Sequence, residues 1–191
     1  MNQLGTVIVV DDASSDGTAA QAEHAGAVVV RLDENRGYGG AIDAGFAEAL
    51  ARGFRYAVTS DGDGQHEPRD VAAFVQLLAR DGFDLVIGIR HGRHRLLERV
   101  CAWYSRIRFG VVDPLCGLKG YDLRYFAEYG GFDRRRSVGT ELMTYALRHG
   151  ARWTQQPITL HERGHGSSRF YADVRANLRI LRSLWALVVV R

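Results

Sequence analysis

The chain is poor in the features that would place it outside ordinary globular enzymes. Its two cysteines, Cys101 and Cys116, lack metal-type spacing, so a disulfide framework and a cysteine-held zinc are not expected. The longest uninterrupted apolar run, Leu184 to Val190, is far too short to span a bilayer. Met1–Gly5 and the apolar run after it, Thr6–Val10, have neither a basic segment nor a cleavage site, so the start reads as a strand rather than a signal peptide. No internal repeat, low-complexity tract or linker breaks the sequence. What remains is 191 residues at 46% hydrophobic, enough for one sizeable core and one domain.

The net charge is only +3, but its distribution is uneven. Residues 90–108 carry Arg90, Arg93, Arg95, Arg99, Arg106 and Arg108 against a single acid, Glu98. Residues 163–191 carry Arg163, Arg169, Arg175, Arg179, Arg182 and Arg191 against Asp173. Such local basic surfaces suit phosphate groups or an anionic membrane, and any one of these Arg can equally be a solvated surface residue. Nucleic acid is not an expected partner, because no aromatic–basic recognition motif accompanies the charge.

Short β-branched apolar runs at Thr6–Val10, Ala27–Val30, Tyr56–Thr59 and Leu85–Ile89 do not alternate, as expected of strands covered on both faces. Helical patterns at Gly17–Ala25, Gly39–Arg52 and Pro68–Arg80 lie between them, the last opening with Pro in its first turn. This alternation predicts an α/β fold with a mainly parallel sheet flanked by helices. Further on, the pattern predicts helices over Leu96–Phe109 and Thr140–His149, a strand over Arg152–Pro157 and a final helix from about Ala172.

In such sheets, ligands bind beyond the carboxyl ends of the strands. Asp11-Asp12, Asn35-Arg36-Gly37 and Asp61-Gly62-Asp63 each follow a predicted strand, so three polar clusters converge on one edge. Two carboxylates one residue apart repel each other unless a cation sits between them, and oxygen ligands suit a hard divalent ion. The alternative for Asp61-Gly62-Asp63 is a simple Asp-Gly turn. Asp11 to Asp16 offers more polar side chains than one helix cap needs, although Ser14, Ser15 or Asp16 could serve as a cap. Gly37 and Gly39 would let backbone approach a diphosphate at a helix N-terminus.

Val9-Val10-Asp11-Asp12-Ala13-Ser14-Ser15-Asp16-Gly17-Thr18, then Asn35-Arg36-Gly37-Tyr38-Gly39-Gly40-Ala41, then Asp61-Gly62-Asp63-Gly64-Gln65-His66-Glu67-Pro68, resemble in order and spacing the family-2 glycosyltransferases of GT-A, Rossmann-like fold. The branch most similar is that of the dolichyl- or polyprenyl-phosphate mannosyl- and glucosyltransferases. The resemblance implies a metal-dependent, inverting hexosyltransferase using Mg2+ or Mn2+ and a UDP- or GDP-linked sugar donor (UDP-glucose or GDP-mannose type). It implies donor contacts from Asp12, Asn35, Gly37 and Asp61, and a metal held by Asp61, Asp63 and Gln65. Gly88-Ile89-Arg90 stands where the family has Gly-Ser-Arg, and Asp113-x-x-Cys116-Gly117-Leu118-Lys119 matches an acceptor-side motif. Arg163-x-x-Gly166-x-Ser168-Arg169 matches R-x-x-G-x-S-K with Arg in place of Lys, which keeps the charge and alters the donor geometry.

On this resemblance Asp63, Glu141 and Arg163 are the residues expected to carry catalysis, and Arg90, Lys119, Ser168 and Arg169 those expected to hold an acceptor phosphate. A polyprenyl phosphate is already anionic and needs cations, not a base. A sugar or protein hydroxyl would need a general base, for which Glu141 is the candidate, although an acid in a helix's first turn also suits the dipole. The basic excess favours the lipid phosphate. The enzyme is then expected to be cytoplasmic, with a peripheral position on the inner membrane face open to it. Residues 1–171 read as the transferase domain, and 172–191 as an amphipathic helix in which Val174, Leu178, Leu181, Trp185 and Val188 share a face. That face suits a membrane surface or packing on the domain. The family also has one more strand, ending in a P-x-Y-N-E type segment, before the point where this sequence begins. Its loss is expected to leave neighbouring strands with open edges, and an inactive nucleotide- or membrane-binding remnant is the competing reading.

Overall fold

The computed structural model describes residues 5–92, 95–161 and 174–190. Strand and helix alternate through β1 (Ile8–Asp11), α1 (Thr18–His24), β2 (Val28–Arg31), α2 (Gly37–Ala51), β3 (Tyr56–Thr59), α3 (Pro68–Ala79), β4 (Leu85–Arg90) and α4 (Leu96–Phe109). Then follow β5 (Lys119–Asp122), α5 (Leu123–Tyr129), α6 (Thr140–Arg148), β6 (Trp153–Ile158) and α7 (Val174–Val189). Every strand and helix expected from the hydrophobic pattern is present within a few residues. β5 and α5 are additional.

β5 was hidden because Lys119-Gly120-Tyr121-Asp122 has no apolar run. Its position is nonetheless central: it pairs antiparallel with both β3 and β4, in the order β3-β5-β4-β6, and β4 pairs parallel with β6. All four β5 residues are buried. Gly120 makes this possible, since a Cβ there would stand 2.7 Å from Leu78 Cδ1 of α3. Asp122 closes the strand and caps α5 by accepting from the Arg124 amide at 3.0 Å.

β1 and β2 form a separate parallel ladder, and among the described residues β1 pairs only with β2 and β3 only with β5. Among the described residues the mainly parallel sheet therefore lies in two pieces. Helix α2 packs on β1, β2 and β3 and so spans both pieces.

The larger sheet is covered on both faces. Leu85 and Ile87 of β4 enter a core with Phe46, Tyr121, Phe132, Leu142, Ile180 and Leu187, whereas Val86, between them, enters a second core with Val71, Phe74, Leu78 and Leu118. The alternation follows from the two-residue period of a strand. Phe46 meets Tyr121 and Phe132 edge-on at 5.7 and 5.5 Å, joining α2, β5 and the loop after α5.

Helix α7 carries apolar residues on two sides. Among its described residues Ile180, Ser183, Ala186 and Leu187 are buried, packed with α4 and α6, while Leu178, Leu181, Trp185 and Val188 lie on the exposed side. Four residues of the stripe read from the sequence, Leu178, Leu181, Trp185 and Val188, thus form the outer face of a helix whose inner face is also mostly apolar. Among the described residues, no helix is long and apolar enough to cross a membrane.

Candidate active site

The loop from β1 reaches the start of α2 through Asp12. Its Oδ1 accepts from the Arg36 amide at 2.6 Å and its Oδ2 from the Gly37 amide at 2.8 Å, while Asn35 Nδ2 donates to the Asp12 carbonyl at 3.3 Å. Asp12 therefore caps α2 from another element, holding two of the amides that a helix start leaves unpaired. Ala13, next to it, takes φ 57°, a left-handed conformation uncommon for a side-chain-bearing residue. Asp11 Oδ1 tightens the same turn by accepting from the Ser14 amide at 3.0 Å.

Asp61 and Asp63 follow β3. The Asp61 side chain stays 42% exposed, and its Oδ2 lies 3.8 Å from His66 Nε2. Behind it is Gly117, where a Cβ would stand 2.8 Å from Asp61 Oδ2, so only glycine leaves the carboxylate its place. Thr59 fixes that wall: its hydroxyl donates to the Gly117 carbonyl at 2.7 Å and accepts from the Lys119 amide at 3.2 Å. Asp63 Oδ1 accepts from the Gln65 amide at 3.1 Å.

The far side of this loop is zipped to the chain beyond β6. Gln65 Nε2 donates to the His161 carbonyl at 3.1 Å, the His161 amide donates to the Gln65 carbonyl at 3.0 Å, and Glu67 contacts the His161 ring. His66, 8% exposed, pairs through its backbone with Leu160, and its Nδ1 is buried without a partner among the described residues. Arg163, Ser168 and Arg169 lie just after this clasp, outside the described residues.

Of the expected acceptor cations, Arg90 and Lys119 are both engaged internally. Arg90 forks onto Asp113 with Nε–Oδ2 at 2.7 Å and Nη2–Oδ1 at 2.9 Å. Burial works against its charge, but the Asp113 carboxylate more than offsets this and raises its pKa. Lys119 is 2% exposed and donates to the Cys116 carbonyl at 2.6 Å, and burial lowers its pKa. Neither is presented to solvent as a free cation; the sequence could not show this, because the pairing joins β4 to a loop 23 residues away.

Glu141 is likewise withdrawn. It is fully buried in α6; Oε1 accepts from Tyr129 Oη at 2.7 Å and pairs with Arg135, and Oε2 accepts from the Arg135 amide at 2.7 Å. Burial pushes its pKa up, yet the bonds from Tyr129 and Arg135 outweigh that and hold it below the usual carboxylate range. Its neighbour Asp133 shifts the other way, raised chiefly by burial, while Ser137 and Gly139 amides donate to it.

Tyr38 was passed over in the sequence as the variable position of Gly37-x-Gly39. Although 37% of it is accessible, burial raises its phenol pKa, with the charges of Asp61, Cys116 and Asp133 adding to the shift. Tyr38 thus marks where the start of α2, the Asp61 loop, the Cys116 loop and the 130–139 loop meet. The only sequence signal for it was an aromatic inside a glycine-rich segment.

Among the described residues no three His, Cys, Asp or Glu side chains form a metal-holding cluster. The donor set present, two carboxylates in one loop, fits a hard cation that takes its remaining ligands from a substrate's phosphates and water, whereas the Gln65 amide is turned to the His161 carbonyl. The space that a side chain at Gly117 would fill also fits that use.

The comparisons with known proteins point the same way. The model of the family described as glycosyl transferase family 2 matches residues 2–113. The chain is 29% identical over 201 residues to undecaprenyl-phosphate mannosyltransferase of Micrococcus luteus, covering 95% of this chain and 82% of that protein. It is 30% identical over 185 residues to polyprenol monophosphomannose synthase of Mycolicibacterium smegmatis, covering 85% and 69% respectively. Among solved structures, glucosyl-3-phosphoglycerate synthase of Mycobacterium tuberculosis, in complex with Mn2+ and UDP-glucose, superposes with a TM-score of 0.70 at 21% identity, covering 94% of this chain and 67% of that one. At that identity the likeness speaks for the GT-A fold alone. A family match over more than half its length, the expected motifs and this fold together make the chain a glycosyltransferase belonging to glycosyl transferase family 2.

Proposed function

We propose that this enzyme transfers a hexose, with inversion, from a nucleoside diphosphate sugar to a polyprenyl phosphate. The observation that carries the donor half is the Asp61 carboxylate, left open against Gly117 at the end of β3. Asp61 and Asp63 would hold Mg2+ or Mn2+, which when bound neutralises charge on the donor diphosphate and on the leaving nucleotide. Asp12 and Asn35 set the backbone of the α2 start, with Asp12 accepting from the Arg36 and Gly37 amides, and would place that glycine-bearing turn against the donor's ribose and base. Arg163, Ser168 and Arg169, which follow His161 in sequence, are the residues proposed to hold the acceptor phosphate and stabilise the departing diphosphate, a role their cations suit.

The acceptor half is supported by the two polyprenyl-phosphate relatives and by Glu141. A hydroxyl acceptor needs a base within reach, and both oxygens of Glu141 are occupied in a fully buried position. A phosphate oxygen needs none. The test is transfer of radiolabelled hexose from UDP- and GDP-linked donors to a short-chain polyprenyl phosphate, with and without Mn2+ or Mg2+. Metal-dependent label in the lipid fraction is expected. Donor binding with label appearing only on sugar or protein hydroxyls overturns the acceptor assignment.

A further inference from the structure

Helix α4 leaves Leu96, Val100, Trp103 and Ile107 exposed, at 75, 41, 65 and 68%. Helix α7 leaves Leu178, Leu181, Trp185 and Val188 exposed, at 47, 48, 54 and 49%. Each set recurs every three or four residues and so forms one stripe on its helix. Single exposed apolar residues need no explanation, but two ordered stripes do. The helices pack against each other, and Cys101 of α4 enters the same core as Ile180 and Leu187 of α7. Both outer stripes therefore turn away from that shared core, on two helices that pack together.

We propose that α4 and α7 together form a platform that docks on an anionic lipid surface. Charge complementarity selects this occupant. Arg99, Arg106 and Arg108 are exposed on α4 and Arg182 is partly exposed on α7, whereas the single acid in either helix, Glu98, is buried. A second copy of the chain laid on this face would bring arginine rows against arginine rows. An anionic bilayer neutralises them while its acyl boundary takes up the apolar stripes, and Trp103 and Trp185 have the amphipathic rings that settle at headgroup level. This deepens the acceptor reading above, since a polyprenyl phosphate resides in such a surface, but it stands on residues outside the donor site.

The test uses the full chain and vesicles of phosphatidylcholine with or without phosphatidylglycerol, free of polyprenyl phosphate and nucleotide sugar. Co-sedimentation and a blue shift of tryptophan emission are expected only with phosphatidylglycerol, and should weaken as salt rises. Trp103→Ser and Ile107→Ser should each lower binding about tenfold, and Arg99→Glu with Arg106→Glu should abolish the preference for anionic vesicles. Circular dichroism and Tm confirm that these surface variants are folded. The proposal is overturned if folded parent protein ignores anionic vesicles, or if the α4 variants bind as the parent does. A concentration-dependent dimer that the same substitutions abolish would equally overturn it, assigning the face to a second copy. Because no acceptor is present, failure here leaves the transfer assignment standing, and failed transfer to detergent-solubilised acceptor leaves docking standing.

Discussion

Gly117 is the wall behind Asp61: a Cβ on the one would stand 2.8 Å from Oδ2 of the other. The contact ties the loop after β3 to the loop before β5, two motifs that are far apart in sequence. It also explains why a residue with no side chain belongs to the site.

Gly117→Ala should therefore displace the Asp61 carboxylate and weaken Mn2+ binding by about tenfold or more, with the fold retained. Gly62→Ala is the matched control, because a Cβ at Gly62 meets nothing within 4 Å. Electron paramagnetic resonance titration of free Mn2+ reads both variants; equal affinity for Gly117→Ala and the parent would remove Asp61 from the metal site.

Asp12 joins β1 to α2 through two amides. Asp12→Ala should cost about 1–2 kcal/mol of stability in the ligand-free protein, the range expected for a lost helix cap. Urea unfolding without nucleotide measures this. An unchanged midpoint would mean that the carboxylate serves the ligand alone.

Glu141→Gln separates a buried structural acid from a general base. The pairings with Arg135 and Tyr129 predict a loss of roughly 1–3 kcal/mol, read by thermal or urea unfolding, with transfer preserved at a temperature where the variant is folded. Full stability with transfer abolished is the signature of a base instead.

The two thiols predict an alkaline limit to stability. Burial pushes Cys101 up to about 12 and Cys116 up to about 11, from 9.0 in both cases. Above pH 9 the unfolded chain loses these protons while the folded chain keeps them, so folding takes up protons and stability falls as pH rises from 9 towards 11 and 12. Below pH 9 their contribution is level. Cys101→Ala with Cys116→Ala should flatten the decline in urea unfolding measured between pH 8 and pH 11, and folded parent protein should resist iodoacetamide at pH 8.5.

The fold was legible wherever local period carried it. Runs such as Ile8–Asp11 and Leu85–Arg90 announce strands because both faces are covered, and Pro68 announces the start of α3. β5 was not legible, since Lys119-Gly120-Tyr121-Asp122 is a strand only because Gly120 admits Leu78 and neighbours on both sides supply its ladder. The placement of the polar motifs was legible for a similar reason: Asp12, Asn35 and Asp61 follow runs whose period marks them as β1, β2 and β3. Which charges are available was not. Arg90 and Lys119 look alike as cations in the sequence, yet one is forked onto Asp113 and the other is sealed under Cys116.

By itself, then, the sequence determined the α/β alternation, the Asp61-Gly62-Asp63 loop and the family, because periodicity and motif spacing are local properties of the chain. Only tertiary structure decided that Asp61 rests on Gly117, that Glu141 is enclosed, and that α7 keeps one apolar face inside and one outside. Those outcomes depend on contacts between residues distant along the chain, where burial and pairing, rather than residue type, set what a side chain is free to do.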